Sequence, residues 1–125
     1  MAGRPKVGGF PYLAETLRVE GVARNEWHLP SCHSLYITKY GPIASQGTPL
    51  VTGMHEIAKF DRDALIRALR TDQEGMSTFL EFLQSTWSAG VIKYDVDFEK
   101  RTCTYLGVNG EYYIEEYSAV DIKKL

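Results

Sequence analysis

Two short stretches of the chain, with one acid beyond them, hold the side chains most suited to chemistry. In "HLPSCHS", His28, Cys32 and His33 stand close together, and each is a transition-metal ligand type. A closed site needs a further ligand, and only His55, across the following loop, is on hand to supply it. The spacing matches no zinc pattern, so the stretch reads as a turn with incidental histidines, and no metal site is assigned. In "KYDVDFEKRTCTY", Asp95 and Asp97 alternate along one strand, with Thr104 on the next and Glu115 one strand further. Paired carboxylates serve as acid and base or hold a hard cation. Here Asp95 and Glu115 fall two strands apart, roughly 9–10 Å, and Lys93 supplies charge balance on the same face. A solvated sheet face accounts for them. Cys103 would need a cation or a helix N-terminus to become a reactive thiolate. Its inward direction in the alternation makes it a small buried hydrophobe instead. No catalytic residue is assigned.

These residues depend on the elements that carry them. "GGFPYLAETLRVEG" spaces Tyr12, Leu13, Thr16 and Leu17 as a short helix, with Pro11 in the first turn and Gly21 as the stop. "VARNEWHLP" and "HSLYITKYG" read as strands joined by the turn "LPSC". From Gly41 to Gly53 the chain is uncharged and punctuated by Gly and Pro, a loop with a short third strand around Leu50–Thr52. Asp61 suits the N-cap of "RDALIRALRTDQ", with Ala64, Leu65, Ala68 and Leu69 as its apolar stripe. After Gly75, Ser77 or Thr78 caps "TFLEFLQSTWSA", whose expected buried face is Phe79, Leu80, Leu83 and Trp87, and Gly90 ends it. "VIKYDVDF", "TCTYLGV" and "EYYIEEY" complete a three-strand meander whose last turn holds Asn109-Gly110, a strong hairpin signal.

Period-two alternation then predicts two faces for the meander. Ile92, Tyr94, Val96, Phe98, Cys103, Tyr105, Tyr112 and Ile114 are expected to face the helices. Lys93, Asp95, Asp97, Thr102, Thr104 and Glu115 are expected to face away, joined by Leu106, Tyr113 and Tyr117. The fold class is therefore α+β: a two-layer sandwich whose antiparallel sheet is covered on one face by helices. Residues 1–9 are expected to form a flexible N-terminus, and 10–125 a single domain.

The whole chain narrows the function classes. Its 125 residues, 44% hydrophobic and 24% charged, are ordinary for one globular domain. The net charge of −2 supplies no general drive towards nucleic acid. That role would require Arg18, Arg24, Arg62, Arg67 and Arg70 to gather on one surface. Two widely separated cysteines without CxxC spacing read as free thiols of a reducing compartment. No stretch approaches the ~18–20 apolar residues of a membrane span, and the N-terminal segment lacks the apolar run of an export signal. A cytoplasmic protein without membrane partners is expected. P-loop, GxGxxG, GxSxG and HExxH patterns are all missing, and Gly8-Gly9 and "GVNG" lack the strand-to-helix setting of a phosphate loop. No cofactor is expected.

The run "GMSTFLEFLQSTWSAGVIKYDVDFEKRTCTYLGVNGEYYIEEY", and above all "AGV" followed by "DVDFEKRTCTY", resembles the YbcV/YdfO-like family of small bacterial and prophage proteins. "LRVEGVARNEW", "CHSLYITKYG" and "HEIAKF" are similar as well, so the likeness spans about Phe10 to Tyr117. It implies helices on one face of an antiparallel sheet and carries no site residues. Function rests on the residues themselves. Tyrosine combines contact area with one polar handle, so Leu106, Tyr113 and Tyr117 on a polar sheet face suggest a non-enzymatic module that self-associates as a homodimer. The alternative is a small-molecule or metal binder, or a minor enzyme, with a pocket at the Gly41–Gly53 loop lined by His33, Tyr36, Tyr40 and His55.

Overall fold

A computed structural model describes residues 9–121. Helix α1 (Gly9–Val19) is followed by strands β1 (Val22–His28), β2 (His33–Thr38) and β3 (Gly41–Gln46). Helices α2 (Arg62–Gln73) and α3 (Phe79–Ser88) come next, then strands β4 (Lys93–Asp97), β5 (Thr102–Leu106) and β6 (Tyr112–Glu116). The strands form one antiparallel sheet in the order β3-β2-β1-β4-β5-β6. Two three-strand meanders thus meet along β1 and β4, and the helices lie on one face. This is the expected α+β sandwich. The expected flexible N-terminus lies, for residues 1–8, outside the described residues, and Gly9 opens α1.

Local chemistry sets the helix ends. The Asp61 carboxylate accepts the Ala64 N–H at 3.0 Å and caps α2. Thr78 and Glu81 form a reciprocal capping box on α3, with bonds of 3.1 and 2.8 Å. Leu65 and Leu69 of α2 are buried as their spacing predicts. On α3 the buried set is Phe82, Leu83 and Thr86, whereas Leu80 is exposed, which corrects the expected face. Phe79, Phe82, Leu83 and Thr86 follow i, i+3, i+4, i+7, and Leu80 falls off that stripe.

The third strand also differs from expectation. Thr38 and Gly41 pair across a two-residue turn, so the chain folds straight back as β3 instead of looping on to Leu50–Thr52. Gly41 has φ +119, and the Thr38 hydroxyl donates to the Gly41 carbonyl at 2.7 Å and accepts the Tyr40 N–H at 3.0 Å. Pro42 is tolerated because β3 is an edge strand. Leu50 forms no strand, but its N–H donates to the Pro30 carbonyl at 3.0 Å.

The core lies between the sheet and the helices. Leu29, Leu65, Val91 and Phe98 are its most enclosed large apolar side chains. An aromatic row runs across three strands: Trp27 stacks on Tyr94 at 6.1 Å, and Tyr94 lies 5.7 Å from Tyr105. Phe79 meets Trp27 edge-on at 5.5 Å. Phe10 meets Tyr117 in the same way at 5.1 Å and ties α1 to the far end of the sheet.

Gly90 is the position with least room. Its φ is +88, and a Cβ there would stand 2.6 Å from the Phe60 Cα and 2.7 Å from the Lys59 carbonyl. The close approach lets the Asp61 N–H donate to the Ala89 carbonyl at 2.8 Å and join the two helices. Gly90→Ala should therefore cost roughly 2–4 kcal/mol of stability, from left-handed strain plus backbone overlap. Urea unfolding of the variant against the unmodified chain checks this, and an unchanged midpoint would contradict it.

Candidate functional site

The last hairpin decides which side chains the sheet presents. Tyr112 pairs with Leu106, and the Gly107 N–H donates to the Glu111 carbonyl at 2.8 Å. The loop is therefore three residues, Val108-Asn109-Gly110, with Gly110 at φ +85. A left-handed glycine closing a three-residue loop is a standard hairpin solution. The expected faces follow from a two-residue Asn-Gly turn, and one extra loop residue turns β6 over.

Tyr113 and Glu115 consequently stand on the helix side, opposite Tyr105 and Cys103. Tyr112 and Ile114 stand on the open side and are exposed. This corrects the expected outward set of Leu106, Tyr113 and Tyr117. Leu106 is on the open face, whereas Tyr113 lies beneath Arg62, whose guanidinium is 5.0 Å from its ring. Tyr117 packs on Phe10, and burial pushes its hydroxyl up to about 12. The open face at this end instead carries Leu106 beside Val108, Tyr112 and Ile114.

The carboxylates separate in the same way. Glu115 is ion-paired with Arg70 of α2 on the helix side, so it does not share a face with Asp95 and Asp97. Asp97 is used by its own turn, where Oδ1 accepts the Glu99 and Lys100 N–H groups at 3.0 and 2.9 Å. Asp95 lies 3.6 Å from the Lys93 ammonium, which also reaches Glu26 at 3.8 Å. These are a turn and an ion-pair network on the open face. Thr104 stands opposite Asp95 on that face.

His33, Tyr36, Tyr40 and His55 do not line one pocket. His33 and Tyr36 sit an odd number of residues apart on β2 and point to opposite faces. Tyr40 is exposed in the β2–β3 turn with the Lys39 ammonium 5.1 Å from its ring, and His55 is exposed in the following loop. A separate, open concavity of about 320 Å³ is lined by Lys59–Asp63 at the start of α2. Cys32 turns inward, with its thiol directed at the Leu29 carbonyl at 3.4 Å. Its φ of +53 allows that turn. Among the described residues, no three His, Cys, Asp or Glu side chains are grouped to hold a metal.

His28 and His33 do meet. They pair across β1 and β2 with their rings stacked, centroids 4.3 Å apart, and Ser31 Oγ lies 2.6 Å from His33 Nδ1. No signal in the sequence ties them beyond their flanking one turn. Of the five arginines, Arg18 lies on α1, Arg24 on β1, and Arg62, Arg67 and Arg70 on α2. Arg18 pairs with Glu15, Arg24 with Glu26 and Arg70 with Glu115, and Arg62 covers Tyr113.

Over residues 5–116 the chain matches the family described as "Protein of unknown function (DUF1398)", and it belongs to that family. It is also 54% identical over 118 residues to the uncharacterized proteins Mb2035 of Mycobacterium bovis and Rv2012 of Mycobacterium tuberculosis. The aligned part covers 94% of this chain and 72% of each relative. The family match ends at Glu116, the last residue of β6. Among the described residues, no helix is long and apolar enough to cross a membrane.

Two titrations follow from these positions. Burial, with Glu115 nearby, pushes the Cys103 thiol up to about 12. Native alkylation of Cys103 should therefore be far slower than in the unfolded chain, and fast labelling at neutral pH by mass spectrometry would refute its inert placement. Burial, then the His33 and Lys93 charges, lowers His28 below its ordinary 6.5. A group lowered by folding binds fewer protons folded than unfolded, so its stabilisation is complete above pH 6.5 and is lost as pH falls through the lowered value. Unfolding titrations should show stability declining over that window, and His28→Phe should flatten part of the decline.

Proposed function

We propose that the protein is a non-enzymatic interaction module that self-associates as a homodimer through the β5–β6 end of its sheet, by the open face and the edge strand that border each other there. One observation carries this reading: Leu106, Val108, Tyr112 and Ile114 make an apolar strip that, among the described residues, no helix covers. Tyr112 is 63% exposed, Val108 51% and Ile114 50%. An aromatic and aliphatic strip bordered by charge is the composition of an interface core and rim. Asp95, Asp97, Glu115 and the two cysteines are meanwhile committed to turns, ion pairs or the core.

A reducing, cytoplasmic setting belongs to the same proposal and is supported by two cysteines that are both free and buried. Absence of a nucleic-acid partner is also part of it, supported by the pairing of Arg18, Arg24 and Arg70 with carboxylates. The narrower likeness to the prophage-associated YbcV/YdfO-like proteins is a proposal carried by "DVDFEKRTCTY".

Sedimentation velocity across a wide concentration range tests self-association. A concentration-dependent dimer is expected, and a strict monomer at high concentration would overturn the proposal. Tyr112→Glu should weaken the dimer by about ten-fold or more while leaving the fold intact, because it puts a charge into the strip. Tyr113→Glu should instead destabilise the monomer, since it faces the helices.

A further inference from the structure

We infer that two copies join edge to edge, pairing β6 with β6 of a second copy in antiparallel register about a two-fold axis at Ile114. This rests on the self-association just proposed and specifies its geometry. β6 is an edge strand. The Gly107–Glu111 and Arg101–Tyr117 bonds show that Glu111, Tyr113, Glu115 and Tyr117 turn their backbone groups towards β5. By alternation, Tyr112, Ile114 and Glu116 turn theirs outward, and among the described residues these groups bond to nothing. A row of this kind is a template for another strand.

The sequence of β6 selects the partner and the register. With Ile114 on the axis, Tyr112 stands opposite Glu116 of the second copy, Ile114 opposite Ile114, and Glu116 opposite Tyr112. Every outward-turned residue then meets an outward-turned residue, as the ladder requires. The Tyr112 hydroxyl gains a carboxylate neighbour, and the two Ile114 side chains close the apolar strip on the open face. On the helix side, Tyr113 stands opposite Glu115, and no acid faces an acid. Centring the pair on Tyr113 would set Glu111 opposite Glu115, and centring it on Glu115 would set that acid opposite itself. The other sheet edge is less suited. On β3 the outward backbone positions are Pro42, Ala44 and Gln46, and Pro42 has no N–H to give.

Cross-linking tests the axis directly. An Ile114 pair on a two-fold has Cα atoms roughly 5.5 Å apart, within disulfide reach. Under a mild oxidant, Ile114→Cys should convert most of the protein to a covalent dimer, whereas Ile43→Cys on β3 should stay monomeric. Ile114→Lys, which sets two ammonium groups opposite each other, should raise the dimer dissociation constant about ten-fold or more with an unchanged melting temperature for the monomer. If the unmodified chain is a dimer but Ile114→Cys does not cross-link, the register is wrong and self-association stands. A strictly monomeric chain overturns both.

Discussion

The pairing of β1 with β4 is the contact on which the rest of the structure depends. Each meander by itself is a three-strand sheet with a narrow apolar face, and small sheets of that kind need something to cover them. Joined through the register from Arg24–Asp97 to His28–Lys93, they make one surface wide enough to bury α2 and α3. Backbone bonds extend the seam at both ends, from Leu29 N–H to the Ile92 carbonyl and from Phe98 N–H to the Ala23 carbonyl, each at 3.0 Å. Asn25 stands opposite Val96 and Trp27 opposite Tyr94, so the aromatic row crosses the join instead of stopping at it. The long connection through both helices spans this one non-local strand pairing, whose loop-closure cost the core between sheet and helices must offset.

Placing the helices on a single side leaves the opposite face to be managed by side chains alone. Along the middle of the sheet that is done with charge, through Arg24, Glu26, Lys93 and Asp95. These half-buried pairs keep charge across the middle of that face. Towards β6 the charge gives way to Leu106, Tyr112 and Ile114, and among the described residues the outer backbone groups of that strand are unpaired. An apolar strip and an open hydrogen-bonding edge coincide there. β3, at the other edge, carries Pro42 among its outward positions, a common way to blunt an edge.

The polar side chains that attract notice in the sequence are mostly structural. Asp97 organises the turn that reverses β4 into β5, Glu115 secures α2 to the sheet through Arg70, and Cys32 and Cys103 fill the core. "VDFEKRTCTY" is therefore a hairpin whose alternation assigns each residue a face. The His28–His33 stack is a product of register: five positions apart in the chain, the two rings meet because a four-residue turn sets them directly opposite.

Much of this was legible from residue order alone, because it is local. Asp61, Thr78 and Gly90 mark helix ends through bonds and dihedrals that involve near neighbours. The Val96–Cys103 and Tyr94–Tyr105 pairings follow from a short turn. What the sequence by itself determined was thus the fold class, both capped helices, the β4–β5 register and the inward direction of Cys103. Tertiary structure decided the joining of the two meanders, the buried stripe of α3 and the face of β6. The physical reason is the same in each case. A two-residue and a three-residue loop can both be written with Asn109-Gly110, and only packing of Tyr113 and Glu115 under α2 selects between them. Because side chains alternate with period two, that single choice sent Tyr112 and Ile114 to the open face and drew Tyr113 and Tyr117 into the core.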